Sequence, residues 1–254
     1  MKDITMYMVT HKSMDNIPNG RTPIMVGGGN NEGGYLMDNT GDNIAIKNAN
    51  FCELTAIYWI WKNDKTSAFV SIEHYRRFLM KPYCIYPKIL TPEGLMRWLK
   101  DNDVILSKRV VYGMSLLEYY RRWHYESDLE LVREAIGKNS PEYLENYDQF
   151  INHNECSMFN IMAIKKAEYD KYCEWLFEIL SFVESRVDLS KRTNYQKRVY
   201  GFLAERLLNV WVIHNRLKVK ELPVYYLQDC KVKSFLVTTK RRMPRVVTPS
   251  VPRR

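Results

Sequence analysis

Phe69-Val70-Ser71-Ile72-Glu73-His74-Tyr75-Arg76-Arg77-Phe78 is an apolar run that breaks into a polar, cationic cluster. A strand that delivers a histidine, a tyrosine and two arginines at its carboxyl end is one way an open α/β sheet builds an anion site. Ligands of such sheets bind outside those strand ends, and arginine makes two-pronged contacts with phosphate oxygens. The same residues also fit a plain strand end whose arginines are only solvated.

Upstream, residues 4–10 (Ile4-Thr5-Met6-Tyr7-Met8-Val9-Thr10) read as a buried first strand that ends in a polar turn at His11-Lys12. Gly27-Gly28-Gly29-Asn30-Asn31 and Gly33-Gly34 follow. They fit neither G-x-x-x-x-G-K-[ST] nor G-x-G-x-x-G, so a flexible loop is expected. Asn50 and Glu53 have the spacing of a capping box, ahead of an apolar stripe of Leu54, Ile57, Tyr58 and Trp61. Downstream, Thr91-Pro92 opens a helix through Leu99, and residues 103–106 read as a short strand. Helices are expected over 115–123, 128–136, 141–150, 167–187 and 195–215, with a second buried strand at 158–164. Strands alternating with helices predict an α/β layer fold. It is expected as one Rossmann-type domain over residues 1–230, a central, mostly parallel sheet flanked by helices.

The 254 residues are 46% hydrophobic and 26% charged, as in an ordinary globular protein. No apolar run approaches the roughly 18 residues that span a bilayer. Met1-Lys2-Asp3-Ile4-Thr5 lacks the pattern of a signal peptide, so a cytoplasmic location is expected. The five cysteines (Cys52, Cys84, Cys156, Cys173, Cys230) show no metal-ligand spacing, which predicts reduced, mostly buried thiols and no zinc site. The net charge is +9, and residues 231–254 hold eight Lys or Arg with no acidic residue. Pro244, Pro249 and Pro252 break any helix there, so residues 231–254 read as an extended basic tail, with a short strand at Phe235-Leu236-Val237 as the other option. The body is therefore not generally basic. That disfavours a nucleic-acid surface, although a nucleotide- or RNA-binding protein without enzymatic activity stays the alternative reading.

Several separated blocks, in order, resemble one bacterial family. They include Asp38-Asn39-Thr40-Gly41-Asp42-Asn43, Cys52-Glu53-Leu54-Thr55, His74-Tyr75-Arg76-Arg77, Phe159-Asn160-Ile161-Met162, Tyr172-Cys173-Glu174-Trp175 and Gly201-Phe202-Leu203-Ala204-Glu205-Arg206. The family comprises capsular and exopolysaccharide glycosyltransferases long catalogued as a domain of unknown function and similar to GT-A enzymes. Some of its relatives look like galactofuranosyltransferases. The resemblance implies a hexosyltransferase taking sugar from a nucleotide donor, UDP-linked and in some relatives UDP-galactofuranose, to a growing surface polysaccharide on a glycan or polyprenyl-linked acceptor.

Such an enzyme must hold a diphosphate and stabilise the charge that grows on it. Most GT-A enzymes do so with a divalent cation on an Asp-x-Asp motif. The strand in question ends instead in His74-Tyr75-Arg76-Arg77, while Asp101-Asn102-Asp103 precedes its strand and reads as a helix-end turn. Metal-independent transfer with no cofactor is therefore expected. His11 and Lys12 are placed for the nucleotide base or phosphate. Asp38, Asn39, Asp42, Asn43, Lys47 and Asn48 suit a ribose or uracil edge, or equally Asx-turns. Glu205 is the first choice for catalytic base. Arg198 and Arg206 are either donor-binding cations or its ion-pair partners. Asp128 is the alternative base, and His124, Glu155 and Asn160 are acceptor-side candidates. Glu53 reads as a cap rather than a ligand. The basic tail is expected to hold the protein on an anionic membrane surface, at the inner face.

Overall fold

The structure, a computed structural model, describes residues 2–82, 86–228, 231–242 and 246–247. Cys84 and Cys230 lie outside these residues, as do 243–245 and 248–254 of the expected tail. Cys156 and Cys173 are buried and Cys52 is half-buried, all as free thiols.

The strands in chain order are β1 (Lys2–Thr10), β2 (Arg21–Met25), β3 (Leu36–Met37), β4 (Ser67–His74), β5 (Arg77–Leu79), β6 (Val104–Ser107), β7 (Val110–Tyr112), β8 (Glu155–Cys156), β9 (Met162–Lys165), β10 (Val219–Leu222), β11 (Val224–Tyr226) and β12 (Val246–Val247). The main sheet runs β10-β6-β9-β4-β1-β2-β3. β1 is parallel to β2 and β4, whereas β9 is antiparallel to both its neighbours, β4 and β6. β4 turns back through Tyr75-Arg76 into β5, which pairs with β11. β12, β7 and β8 form a small separate sheet.

Alternation sorts the strand residues between two cores. Tyr7, Val9, Val70, Ile72, Val104, Leu106, Met162 and Ile164 face the larger one. Met6, Ile105 and Ala163 face the smaller. The helices are α1 (Asn48–Phe51), α2 (Leu54–Asn63), α3 (Pro92–Leu99), α4 (Leu116–Trp123), α5 (Ser127–Asn139), α6 (Leu144–Asn152), α7 (Lys166–Glu184), α8 (Val199–His214) and α9 (Lys231–Arg242). Leu95 and Leu99 of α3 pack into the smaller core. Residues of α2 and α4–α8 fill the larger one. The Tyr169 hydroxyl donates to Ile57 O at 2.8 Å and fastens α7 to α2.

Three local expectations are corrected. The spacing of Asn50 and Glu53 is not a capping box: Cys52 adopts φ 52° and separates α1 from α2, and Glu53 makes no side-chain cap. A true capping box joins Ser115 and Glu118. The strand expected at 158–164 is confined to Met162–Lys165, because Phe159 and Asn160 turn through φ 76° and 52°. Residues 231–242 are neither extended tail nor strand but helix, held to β11 by Thr238 Oγ1, which accepts from Tyr226 N at 2.9 Å. The expected turn at 101–103 does form after residue 99: Asp101 N donates to Trp98 O at 3.4 Å and Asn102 Nδ2 to the same oxygen at 2.8 Å.

Candidate active site

A cleft of about 1300 Å³ opens where the parallel strands β1 and β4 end, as the topology of open sheets dictates. Its cationic wall is built by the β4–β5 hairpin. Tyr75 N donates to Val9 O at 3.0 Å, which brings the ends of β4 and β1 together. His11 meets the Tyr75 ring edge-on at 5.0 Å, and the Arg76 guanidinium lies 5.0 Å from the same ring. Arg77 stacks on Phe159 at 4.2 Å. Arg198 enters from the start of α8 and donates to Cys52 Sγ at 3.1 Å. Burial and the neighbouring Lys12 and Arg76 lower the His11 pKa, so at neutral pH the ring is an uncharged hydrogen-bonding group among cations.

The hairpin rests on a buried ion pair that no sequence pattern announced. Glu73 receives Arg21 Nε at 2.9 Å and Leu79 N at 2.7 Å, with both charged side chains at or below 1% exposure. Two glycines let the neighbouring loop close in behind this wall. A Cβ on Gly27, at φ +75°, would come within 2.7 Å of Asn48 Oδ1, and one on Gly29 within 2.7 Å of His11 O. The Gly-rich segment is thus required by close packing, not merely a flexible connector.

The cleft floor is the left-handed turn Phe159-Asn160, a conformation rare for residues other than glycine. Four partners hold it. His74 Nε2 lies 2.5 Å from Phe159 O; a carbonyl only accepts, so this nitrogen carries the proton. Phe159 N donates to Glu205 Oε1 at 2.9 Å. Asn160 Nδ2 donates to Glu53 Oε1 at 2.8 Å and to Gly201 O at 3.3 Å.

Glu205 sits in the second turn of α8 and faces the cleft at 8% exposure. Burial is the main cause that lifts its carboxyl to about 7; Arg206 opposes the shift and Glu53 adds to it. Its Oε2 lies 3.8 Å from Arg206 Nη1, too far for a hydrogen bond. Such a carboxyl exchanges a proton near neutral pH.

The far end of the cleft is aromatic. His124 packs against Phe202 at 4.3 Å and Tyr195 at 5.7 Å, and burial with the nearby Arg206 and Arg192 pushes its pKa down to about 3. The ring is neutral across the physiological range.

The structure thus gathers His11, Asn48, His74, Tyr75, Arg76, Arg77, Arg198, Arg206, His124 and Glu205 around one cavity. Lys12 stands at its rim, 5.9 Å from the Tyr75 ring. The remaining candidates lie elsewhere. Asp128 is fully buried in a two-pronged pair with Arg192 at 2.6 and 2.8 Å and accepts from Tyr120 at 3.1 Å. Glu155 pairs with Arg109 outside the cleft. Asn160, although part of the floor turn, is itself fully buried, and its side chain holds Glu53. The loop carrying Asn39, Asp42 and Asn43 is clamped to the carboxyl end of α2: Asn63 Nδ2 donates to Asp42 O, Tyr58 donates to Asp42 Oδ1, and Asn43 forms an Asx-turn with Ala45. Lys47 pairs with Glu184. Asp38 is fully buried, its carboxyl pushed up by burial.

Sequence reasoning missed Glu53, Trp123, Tyr195 and Phe202 as cleft residues. For the aromatics no spacing signal existed, since Trp123 ends α4, Tyr195 precedes α8 and Phe202 lies within it, far apart in sequence. Among the described residues no three His, Cys, Asp or Glu side chains converge as a metal site would require.

A solved apo structure of WbbM, a bifunctional glycosyltransferase, superposes on this chain with a TM-score of 0.82 at 28% identity. The match covers 90% of this chain and 46% of WbbM, so the chain spans less than half the length of that protein. The fold is accordingly the GT-A-like α/β layer expected from the sequence. No curated protein sequence matches the chain. A family model matches residues 5–216, a range that contains every cleft residue named above, and the chain belongs to that family, described as Domain of unknown function (DUF4422).

Proposed function

We propose that this chain is a glycosyltransferase that moves a hexose from a nucleotide-sugar donor to a growing surface polysaccharide in capsular or exopolysaccharide synthesis. A UDP-sugar is the donor class, with UDP-galactofuranose the first to test. One observation carries the reading: a carboxyl lifted to about 7 faces the same cleft as Arg76, Arg77 and Arg198. The likeness to a glycosyltransferase supports it.

In this reading the arginines hold the diphosphate and stabilise its developing charge in place of a divalent cation. Glu205 takes the proton of an acceptor hydroxyl, and that oxygen attacks the sugar carbon. The bond to the diphosphate oxygen breaks, and its electron pair leaves with the diphosphate. The Phe159 amide fixes one oxygen of Glu205. The aromatic end around His124, Tyr195 and Phe202 receives the acceptor sugar. Residues 1–230 form the catalytic unit, and residues 231–254 hold it on the inner face of an anionic membrane, where a polyprenyl-linked acceptor is presented.

Calorimetry with a panel of nucleotide sugars, then product analysis on a lipid-linked acceptor in excess chelator, tests the proposal. One UDP-sugar should bind and be consumed. Loss of activity in chelator that manganese or magnesium restores would defeat metal independence. Absence of any nucleotide-sugar binding, with steeply salt-dependent affinity for oligonucleotides, would replace the enzyme by a nucleic-acid binder.

A further inference from the structure

Helix α9 is packed inside out. Among its described side chains Ser234 and Thr238 are the fully buried ones, and each caps a backbone amide of the adjoining chain: Ser234 Oγ accepts from Gln228 N at 2.8 Å and Thr238 Oγ1 from Tyr226 N at 2.9 Å. Three of its four apolar residues point the other way, with Val232 68%, Leu236 59% and Phe235 38% exposed, while Val237 is half-buried. Spaced i, i+3, i+4, these three form one stripe opposite Ser234 and Thr238. A surface helix that only covers a core shows the reverse pattern. Tyr86, 71% exposed, extends the patch from a different part of the chain, its ring 6.3 Å from that of Phe235.

The charge around the stripe says what covers it. The α9 sequence contains three lysines and two arginines and no acidic residue. Helical spacing sets Lys233 and Lys240 along one flank of the stripe, and both are exposed. A second copy docked on this face would set these cations against their own kind, at an electrostatic cost. An anionic bilayer satisfies both features at once, taking aromatic and aliphatic side chains at the headgroup boundary and lysines against lipid phosphates.

The position suits a lipid-linked acceptor. α9 is hydrogen-bonded to Tyr226, whose ring meets Phe159 edge-on at 6.3 Å, and Phe159 is the floor of the cleft. We propose that α9 is an interfacial membrane helix that inserts Val232, Phe235 and Leu236, with Tyr86, into an anionic leaflet and so sets the cleft beside the membrane surface. This names the membrane-contact surface of the reading above, and it rests on that reading's membrane location but not on the sugar transferred.

Vesicle flotation of the full chain at physiological salt tests it, with phosphatidylglycerol–phosphatidylcholine vesicles against phosphatidylcholine alone. The wild type should float with the anionic vesicles only. Val232→Ser/Phe235→Ser/Leu236→Ser, which keeps every charge and alters only exposed side chains, should lower that partition about tenfold. Leu236→Trp should keep partition, and brominated lipid should quench the added indole emission. The quenching reads insertion even if the triple variant folds poorly. If deletion of residues 248–254 abolishes flotation while the triple variant floats as wild type, the contact is a charged tail, and the α9 surface is wrong though the membrane location stands. Failure of the wild type to bind anionic vesicles would overturn both. A triple variant that changes oligomeric state but still floats would make the face a self-contact and overturn the proposal.

Discussion

Two carboxylate–arginine regions lie close together around Tyr120, and they differ in closure. Asp128 is gripped by both arms of Arg192 and by the Tyr120 hydroxyl, with no exposure to the cleft. Glu205 has its arginine at 3.8 Å, a single amide on one oxygen, and an open side toward the cleft. Arg206 reaches between the regions, its guanidinium 4.8 Å from the Tyr120 ring. Both acids sit on helices with arginines at hand, and each fits a catalytic base when read from sequence. What separates them is satisfaction. A carboxylate whose charge is fully met is an ion-pair anchor, whereas one left short of partners in a buried place keeps its proton to near neutral pH.

Breaking each region should therefore have a different consequence. Glu205→Gln should lower transfer by about 10²–10⁴-fold while calorimetry shows donor binding retained. The same variant should be more stable than wild type at pH 8. Burial raises this carboxyl from its ordinary 4.5 to about 7, so wild type loses folding free energy as pH rises through that window, and the amide does not. Denaturant melts at pH 5 and pH 8 measure the difference. Asp128→Asn should act on stability instead: an unpaired buried Arg192 costs about 3–5 kcal/mol, with folded molecules still binding donor. A stable Asp128→Asn enzyme that has lost its chemistry would reverse the two assignments.

Smaller effects sharpen the contrast. Arg76→Ala or Arg77→Ala should weaken donor affinity by about 1.5–3 kcal/mol, read by titration, and leave the fold intact. Arg76 is exposed at the hairpin tip, and Arg77 lies on the Phe159 ring. His74→Ala should cost less in donor affinity than either arginine, because one ring nitrogen of His74 is already engaged by the Phe159 carbonyl.

The cationic wall was legible in the sequence because it is local: an apolar run ending in His74-Tyr75-Arg76-Arg77 has one natural place, the carboxyl end of a central strand. The order of strands and helices was legible for the same reason, since periodicity reports which face is buried. The floor was not. Phe159 and Asn160 lie within an apolar run that reads as strand, and their left-handed backbone is imposed by His74, Glu205 and Glu53, all remote in sequence. Glu53 had the spacing of a cap, yet its partner is Asn160, 107 residues away. Helix α9 escaped because its buried face consists of hydroxyls that cap strand-edge amides, so hydrophobic patterning points outward. In the 38–47 loop Asp42 is bonded to the end of α2 and Asn43 forms a turn, the local use that such residues also offer.

The pH dependence of transfer, measured as kcat/KM with the UDP-sugar that calorimetry identifies, tests the central claim most directly. With Glu205 as base at about 7, the rate should climb about tenfold per pH unit below that value and level off above it. A rate that is flat from about pH 5.5 to 8.5, or one that Glu205→Gln leaves unchanged, would contradict the assignment of Glu205 as base.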